Sequence, residues 1–324
     1  MSQKPSFIAD LSLPTIAAPM FLISGPKLVI ECCKNGIVGT FPALNQRTSE
    51  GFEEWLVEIK SELLKFEEET GKKPAPFGVN LIVHPTNPRL EADVKLCIKH
   101  EVPIVITSLG AVSMVVNAIH SYGGLVFHDI IKKRHAEKAQ EAGVDGLILV
   151  AAGAGGHAGT TNPMTLVAEI KKFFDKTIIL SGCISNGRDI ASALQMGADL
   201  AYMGTRFINT DEAEAPEDYK KMIIDAGAND IVYTAAISGV HANFLADSLK
   251  AAGLTEEDLK KDTKIDFGKE LDTEAKAWKT IWSAGQGSAM IDETLPVTAL
   301  IDKLKSEFKF AIEEQSKILE IYPK

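Results

Sequence analysis

The chain has 324 residues, which is enough for one large α/β barrel or two domains of ordinary size. Its hydrophobic fraction of 45% and charged fraction of 24% are typical of a globular protein, and its net charge of −10 argues against non-specific binding of nucleic acid. The first ten residues lack the apolar core of a signal peptide, and no apolar run approaches the roughly 18–20 residues of a membrane span. We therefore expect a cytoplasmic protein without a nucleic-acid or membrane partner.

Segments with the pattern of strands alternate with segments of helical pattern from residue 15 to about residue 208. Most strand segments are continuous apolar runs, as expected for strands buried on both faces of a parallel sheet. The eight segments are Ile16–Met20, Ile37–Phe41, Phe77–Val83, Ile104–Ser108, Leu125–His128, Gly146–Ala152, Thr177–Gly182 and Leu200–Phe207. This alternation predicts a (β/α)8 TIM barrel. The alternative is a doubly wound sheet, which is disfavoured because no Gly-x-Gly-x-x-Gly fingerprint follows the first strand.

The alternation stops after Ile208. Residues 211–295 are acidic and rich in alanine, with a helical pattern and no convincing strand. We interpret them as a smaller helical cap, or substrate domain, inserted into a barrel that comprises residues 1–210 and is completed by residues 296–324. The last barrel helix is expected at Val297–Leu319. Trp278 and Trp282, four residues apart in the cap, are expected to pack between cap and barrel, or else to form a substrate lid.

The sixth strand segment runs into a glycine-rich loop that contains His157. Gly153, Gly155, Gly156 and Gly159 permit positive φ angles and a close approach of the backbone to a ligand. Histidine is the side chain that exchanges protons near neutral pH. The loop therefore predicts an active site with His157 as the catalytic residue, and the alternative is a tight turn with a surface histidine.

Two further glycine motifs follow the seventh and eighth strand segments. Ser181-Gly182-Cys183 leads through Gly187 into a helix start, and Met203-Gly204-Thr205 ends the next strand. Loops at these two positions form the usual phosphate site of this fold, where glycine N–H groups and a helix N-terminus attract an anion. The two motifs therefore predict a phosphate site, and the alternative is that the glycines only pack tight turns.

Other polar residues lie near the ends of predicted strands, where a barrel has its active site. His84 and His128 are candidates to line that site, whereas His100, His120 and His135 fall on helical segments and are expected at the surface. No pair of histidines has metal-ligand spacing, and the four cysteines lack a CxxC spacing, so we expect no metal and reduced thiols. Without a GxSxG motif or a base partner for Cys183, nucleophilic catalysis is not favoured.

Five sequence elements together resemble the nitronate monooxygenases, formerly called 2-nitropropane dioxygenases, over nearly the whole chain. They are Ala18-Pro19-Met20, Gly78-Val79-Asn80-Leu81, the AGGHAG run of residues 154–159, Ser181-Gly182-Cys183-Ile184 with Gly187, and the GAD and YMGTRF runs at residues 197–199 and 202–207. The resemblance implies an FMN-dependent oxidoreductase and monooxygenase that has a (β/α)8 barrel and a helical substrate domain.

The resemblance also implies roles for particular residues. Asn80 would contact the flavin, and Gly155, Gly182, Gly204 and Thr205 would hold the edge of its ring or its phosphate. The full set of cofactor-binding candidates is Ala18, Pro19, Met20, Asn80, Thr107, Gly155, Gly156, Ser181, Gly182, Cys183, Tyr202, Met203, Gly204 and Thr205. This chain departs from the family pattern at Val150, where a flavin-contacting glutamine is usual, and at Cys183, where a glycine is usual.

The function that the resemblance implies is oxidation of an alkyl nitronate by O2 to a carbonyl compound and nitrite. His157 would orient the nitro group, or remove the α-proton if a neutral nitroalkane is the substrate. One alternative is the flavin-dependent enoyl-acyl-carrier-protein reductase, which shares the barrel and a GGH loop. That enzyme needs NADH or NADPH and a docking surface for an acidic carrier, and the sequence shows no obvious basic cluster. The other alternative is a non-catalytic flavin-binding or phosphate-binding protein. A homodimer is compatible with the sequence.

Overall fold

A computed structural model describes residues 4–110, 113–237, 239–261 and 281–322. Eight parallel strands form a closed barrel, in which Ile16 of the first strand pairs with Tyr202 of the last. The barrel strands are β1 Thr15–Ala17, β2 Val38–Pro42, β3 Phe77–Ile82, β4 Ile104–Ser108, β5 Leu125–Ile130, β6 Gly146–Val150, β8 Thr177–Ser181 and β9 Leu200–Met203. The predicted (β/α)8 barrel is confirmed, and the doubly wound alternative is wrong.

The helices of the described residues are α1 Phe7–Asp10, α2 Pro26–Lys34, α3 Ser49–Thr70, α4 Leu90–Lys99, α5 Ser113–His120, α6 Lys133–Glu141, α7 Pro163–Ile170, α8 Gly187–Met196, α9 Thr205–Ile208, α10 Glu217–Asp225, α11 Ala246–Ala251 and α12 Val297–Ile321. They follow the barrel strands, except that α1 precedes β1 and that α10 and α11 belong to the inserted segment. Short 3₁₀ turns occur at Ala43–Asn45, Ala228–Asp230, Asp258–Lys260 and Gln286–Met290. No helix within the described ranges combines the length and apolarity that a membrane crossing requires.

Alternate strand residues belong to two separate apolar cores. On β6, Ile148 packs in the barrel interior, whereas its neighbours Leu147 and Leu149 pack in the larger core between the strands and the helices. Ile104 and Ile106 of β4 also belong to the interior cluster. Because both faces of the strands are buried, most strand positions are apolar.

The inserted segment, residues 211–295, contains two strands, so the expectation that it has a helical pattern and no strand is wrong. Strands β10 Ile231–Thr234 and β11 Ala242–Leu245 form an antiparallel sheet with β7, which is Gly156–His157 of the glycine-rich loop. Strands of four residues are too short for their pattern to be recognised in sequence, and β7 is a distant partner of β11. Trp278 lies outside the described residues. Trp282 stacks on Tyr219 of α10, with ring centroids 4.9 Å apart.

Candidate functional site

A cavity of about 1040 Å³ lies at the carboxyl ends of the barrel strands. Residues of the inserted segment, including Tyr219, Tyr233 and Trp282, complete its wall. The expected site residues that line it are Ala18, Pro19, Met20, Asn80, His128, Gly155, Gly156, His157, Ser181, Gly182, Cys183, Tyr202, Gly204 and Thr205. The barrel thus brings together residues that are as far as 187 positions apart in the sequence (18 to 205), as expected for strand ends that share one face.

The backbone of His157 is part of a short β-sheet, so this residue does not lie in a free loop. It pairs with Ala242 of β11, and Gly156 pairs with Asn243. The Asn243 side chain also donates a hydrogen bond of 2.6 Å to the Ala154 carbonyl. Burial lowers the pKa of His157 to about 4, so the imidazole is neutral at pH 7. The site therefore presents a fixed, uncharged histidine to the cavity.

The glycines before His157 allow two backbone segments to pack closely. A Cβ at Gly155 would lie 2.8 Å from the Gly285 nitrogen, and a Cβ at Gly285 would lie 2.6 Å from the Gly153 carbonyl. Gly285 also donates a hydrogen bond of 2.9 Å to the Thr205 hydroxyl oxygen. Gly155 lines the cavity, but its lack of a side chain is required by this packing.

The loops after β8 and β9, where the sequence predicts a phosphate site, both line the cavity. A Cβ at Gly204 would meet the side chains of Ala18 at 3.6 Å and Met20 at 3.8 Å, which are ordinary contact distances, so this position accepts a methyl group without a clash. Gly182 has φ +125° and Cys183 has φ +55°. The φ angle of Cys183 is in the left-handed region, where a side chain is unfavourable. This explains why the family pattern has glycine at this position.

The N-terminus of α8 is not part of this anion site, contrary to the expectation from the sequence. Its N–H groups are already occupied by protein carboxylates. Gly187 donates to Glu307 of α12 at 2.8 Å, while Ser185 and Asn186 donate to Asp189 at 2.9 and 3.2 Å. A phosphate would have to displace these carboxylates, which leaves the Gly182–Cys183 and Gly204–Thr205 loops as the candidates for the expected phosphate site.

A buried hydrogen-bonded chain runs along the ends of β3, β4 and β5. The Asn80 amide donates 2.8 Å to the Ser108 hydroxyl, which in turn donates to Oδ2 of Asp129. Oδ1 of Asp129 is buried and has no hydrogen-bond partner among the described residues. Burial raises the pKa of Asp129 to about 7. All three residues line the cavity, and sequence reasoning missed Asp129 although it directly follows His128.

Two of the expected cofactor residues do not line the cavity. The Thr107 hydroxyl lies 2.8 Å from Nδ1 of His128, so Thr107 positions that histidine instead. Burial, with a smaller contribution from His135, lowers the pKa of His128 to about 4. The Met203 side chain packs in the core between barrel and helices, and its carbonyl accepts a hydrogen bond from Ala18. Adjacent strand residues point to opposite faces, which explains both cases.

The remaining histidines differ in part from expectation. His84 lies 2.9 Å from the Thr86 hydroxyl and does not line the cavity. His100 is only half-buried and bonds Glu53 at 2.7 Å, and His120 bonds Asp145 at 2.8 Å. His135 was expected at the surface but lines the cavity, and His241, which stacks on Tyr233, was missed.

Basic side chains cluster around His135, and the sequence reading overlooked them. Lys132, Lys133 and Arg134 precede His135, and Lys138 follows one helical turn later at the cavity wall. The clue was present in the sequence as the run Lys-Lys-Arg-His at the start of a helical segment. Among the described residues, no group of three or more histidines, cysteines or acidic residues is placed to hold a metal ion.

A family model for nitronate monooxygenases matches residues 43–307. The chain belongs to the nitronate monooxygenase family. This membership confirms the recognition made from the motifs, and it supports an oxidoreductase that uses a flavin. A nitronate monooxygenase of Paraburkholderia phytofirmans is 32% identical over 198 residues, which cover 56% of this chain and 54% of the relative.

Other similar proteins carry different names. An octahydroindene-carboxyl-CoA dehydrogenase of Rhodococcus jostii is 26% identical over 227 residues, which cover 70% of this chain and 61% of the relative. The chain thus spans little more than half the length of these curated relatives. A nitroalkane oxidase from Streptomyces ansochromogenes superposes with a TM-score of 0.80 at 23% identity, covering 96% of this chain and 100% of that chain. FabK from Thermotoga maritima has a TM-score of 0.77 at 24% identity, with 96% and 97% covered. At these low identities, the two superpositions show that the fold is shared and nothing more.

Proposed function

We propose that this member of the nitronate monooxygenase family binds FMN and oxidises alkyl nitronates with O2 to a carbonyl compound and nitrite. The observation that supports this most strongly is the position of His157. Strand pairing with β11 fixes His157 at the cavity, which is also lined by the glycine loops after β8 and β9. A fixed proton-exchanging group beside an anion-binding loop is the arrangement expected of a catalytic site.

The residues at the cavity fit an FMN. The Gly182–Cys183 and Gly204–Thr205 loops line the cavity, and their backbone groups together with the Thr205 hydroxyl would suit a single phosphate. Asn80 and Gly155 line the same cavity and would contact the edge of the ring. When bound, FMN would accept electrons from the substrate and return them to O2. The absence of a dinucleotide fingerprint after β1 favours FMN over FAD.

The low pKa of His157 favours a nitronate over a neutral nitroalkane as substrate. A base with a pKa of about 4 is a weak acceptor for the α-proton of a nitroalkane at pH 7. A neutral imidazole still donates a hydrogen bond to an anionic nitro oxygen, which a preformed nitronate provides. We therefore assign His157 the role of binding and orienting the nitronate.

We also propose that residues 211–295 act as the substrate-facing domain, while residues 1–210 and 296–324 form the cofactor-binding barrel. Tyr219, Tyr233, His241 and Trp282 of the inserted segment line the cavity opposite the strand ends. These large side chains limit the access of water and shape the space above the cofactor position.

The test is to purify the protein, identify the flavin that it releases by mass, and supply ethyl nitronate with O2 but without a nicotinamide. We expect FMN, one nitrite per nitronate consumed, and no requirement for NADH. Release of FAD would contradict the cofactor assignment. Oxygen consumption without nitrite, or no turnover at all, would contradict the reaction.

A second candidate function is oxidation or reduction of an acyl thioester, as in the enoyl reductase alternative. The observation that favours it is the basic cluster at the cavity rim, together with the similarity to a CoA dehydrogenase of Rhodococcus jostii. NADH oxidation that depends on an enoyl thioester, in the absence of O2, would favour this function over the first.

A further inference from the structure

Basic side chains surround the start of α6, where it meets the rim of the cavity. Lys132 is the N-cap residue of α6, and Arg134 lies in its first turn. His135 and Lys138 line the cavity itself. We define the basic rim as Lys132, Arg134 and Lys138, of which Lys138 lines the cavity, while the other two lie just before His135 in the chain.

The basic rim has no ion-pair partner in the part of the chain that the structure describes. Lys133 faces the other way, because its amino group lies 3.5 Å from Glu137 and 5.8 Å from the centre of the Phe173 ring. In contrast, no carboxylate within the described ranges lies closer than 4.0 Å to the side-chain nitrogens of Lys132, Arg134 or Lys138. A chain of net charge −10 thus leaves three cations without counter-ions where a ligand enters.

The effect of these cations extends into the cavity. The pKa of His135 is lowered by burial first, and then by the charges of Lys132, Lys138 and Arg134. All three cations are therefore close to one imidazole. His135 contributes in turn to the low pKa of His128, deeper in the cavity wall. The three cations therefore lie at the edge of the cavity, beside His135.

We propose that Lys132, Arg134 and Lys138 form a second anion site, which binds the phosphate groups of a coenzyme A thioester whose acyl end enters the cavity. Three uncompensated cations match a multiply charged anion, and an arginine fork and a helix N-terminus both suit phosphate. Because the cations stand at the lip of an enclosed cavity, they fit a phosphorylated small molecule with a flexible arm.

This anion site is separate from the expected FMN phosphate site. β5, which leads into α6, is separated from β8 by β6, and from β9 by both β6 and β8. The two sites therefore lie at different positions around the mouth of the barrel. The proposal deepens the second candidate function, and it rests on the proposed function only in that this cavity is the substrate site.

The test measures binding of coenzyme A to the flavin-loaded protein by calorimetry, with pantetheine, which lacks phosphate, as the control ligand. We expect coenzyme A to bind at least ~10-fold more tightly than pantetheine, and its affinity to fall as salt is added. Equal affinities for the two ligands, or no binding of coenzyme A, would overturn the proposal.

A matched pair of variants locates the site. Lys132→Ala, Arg134→Ala and Lys138→Ala combined should weaken coenzyme A binding at least ~10-fold. The control combines Lys65→Ala, Lys72→Ala and Lys73→Ala, which removes the same charge from exposed positions near the start of β3, at the opposite end of the barrel. Equal losses in both variants would mean that only net charge matters and would overturn the site. FMN content, measured in the same samples, tests the proposed function independently.

Discussion

The two sides of the cavity mouth present polar groups of different kinds. Beside β8 and β9, the Gly182–Cys183 and Gly204–Thr205 loops present backbone and hydroxyl groups. Beside β5 and β6, the wall presents the ionisable side chains of His128, Asp129 and His157. Burial favours the neutral form of each group: it lowers the pKa values of His128 and His157 to about 4 and raises the pKa of Asp129 to about 7.

This difference indicates a division of work between the two sides. Backbone N–H groups keep their polarity at every pH, so they suit a cofactor that must stay bound. Buried ionisable groups change with pH and with the charge of a ligand, so they suit substrate recognition and proton handling. Changes beside β8 and β9 should therefore alter flavin content, and changes beside β5 and β6 should alter turnover and its dependence on pH.

The largest expected effect is at Gly204. Gly204→Glu should abolish flavin binding, because it would place a carboxylate in the cavity beside this loop and repel a phosphate. Gly204→Ala is the matched control, since its Cβ would meet Ala18 only at an ordinary contact distance of 3.6 Å. We expect the alanine variant to keep near-stoichiometric FMN, measured by absorbance after denaturation. A fully yellow glutamate variant would place the phosphate elsewhere.

The next effect is at His157. His157→Leu should retain FMN but lower kcat/KM for ethyl nitronate by roughly 10- to 100-fold, because it loses a hydrogen bond to a charged oxygen. His157→Gln should lose less, since its amide still donates. Because its pKa is about 4, His157 stays neutral from pH 6 to 9, so this loss should not vary over that range. A loss of flavin in both variants would assign His157 to cofactor binding instead.

Asp129 should govern part of the pH dependence of stability. Its pKa rises from 3.8 to about 7 on folding, so between these values the folded chain keeps a proton that the unfolded chain releases. Stability from this group therefore falls as pH rises from about 4 to 7, by at most a few kcal/mol, at ~1.4 kcal/mol per pKa unit.

Asp129→Asn removes that pH dependence. In denaturant unfolding of the flavin-free protein, the variant should become progressively more stable relative to wild type between pH 4.5 and pH 8. Asp218→Asn, at an exposed position in α10, is the control and should show no such trend. A constant difference between Asp129→Asn and wild type at all pH values would show that Asp129 does not carry a proton in the folded state.

The smallest effect is expected at Cys183, on the backbone side. Its φ of +55° is unfavourable for a side chain by roughly 1–2 kcal/mol. Cys183→Gly should therefore unfold with a free energy about 1 kcal/mol higher than Cys183→Ala, which keeps the strain and likewise lacks the thiol. Equal stabilities would indicate that the loop relaxes without strain.

The barrel could be predicted from the sequence because its signals are local. Residues 146–150 are apolar at every position, and the strand that they form is buried at every position. The glycine loop with His157 and the strand-end residues Ala18, Asn80 and Gly204 could likewise be assigned to one site from the sequence. Once a barrel is assumed, every strand end faces the same side.

The inserted sheet and the occupied helix terminus could not be predicted, because they depend on contacts between distant residues. His157 is fixed by pairing with Ala242, and Gly187 is capped by Glu307, which is 120 residues away. Neither partner has a pattern that sequence reading can connect to the other. Asp129 was missed because what distinguishes it is its burial, and the residues beside it in the sequence do not reveal that burial.

The sequence by itself determined the barrel, the glycine loops and the family, since these follow from apolar runs and short motifs whose meaning is local. Tertiary structure decided which groups carry charge and where an anion finds room. Burial moves the pKa values of His157 and Asp129, and packing of α12 on α8 closes one expected anion site. Both effects arise from the desolvation and steric contacts that form only when distant segments meet.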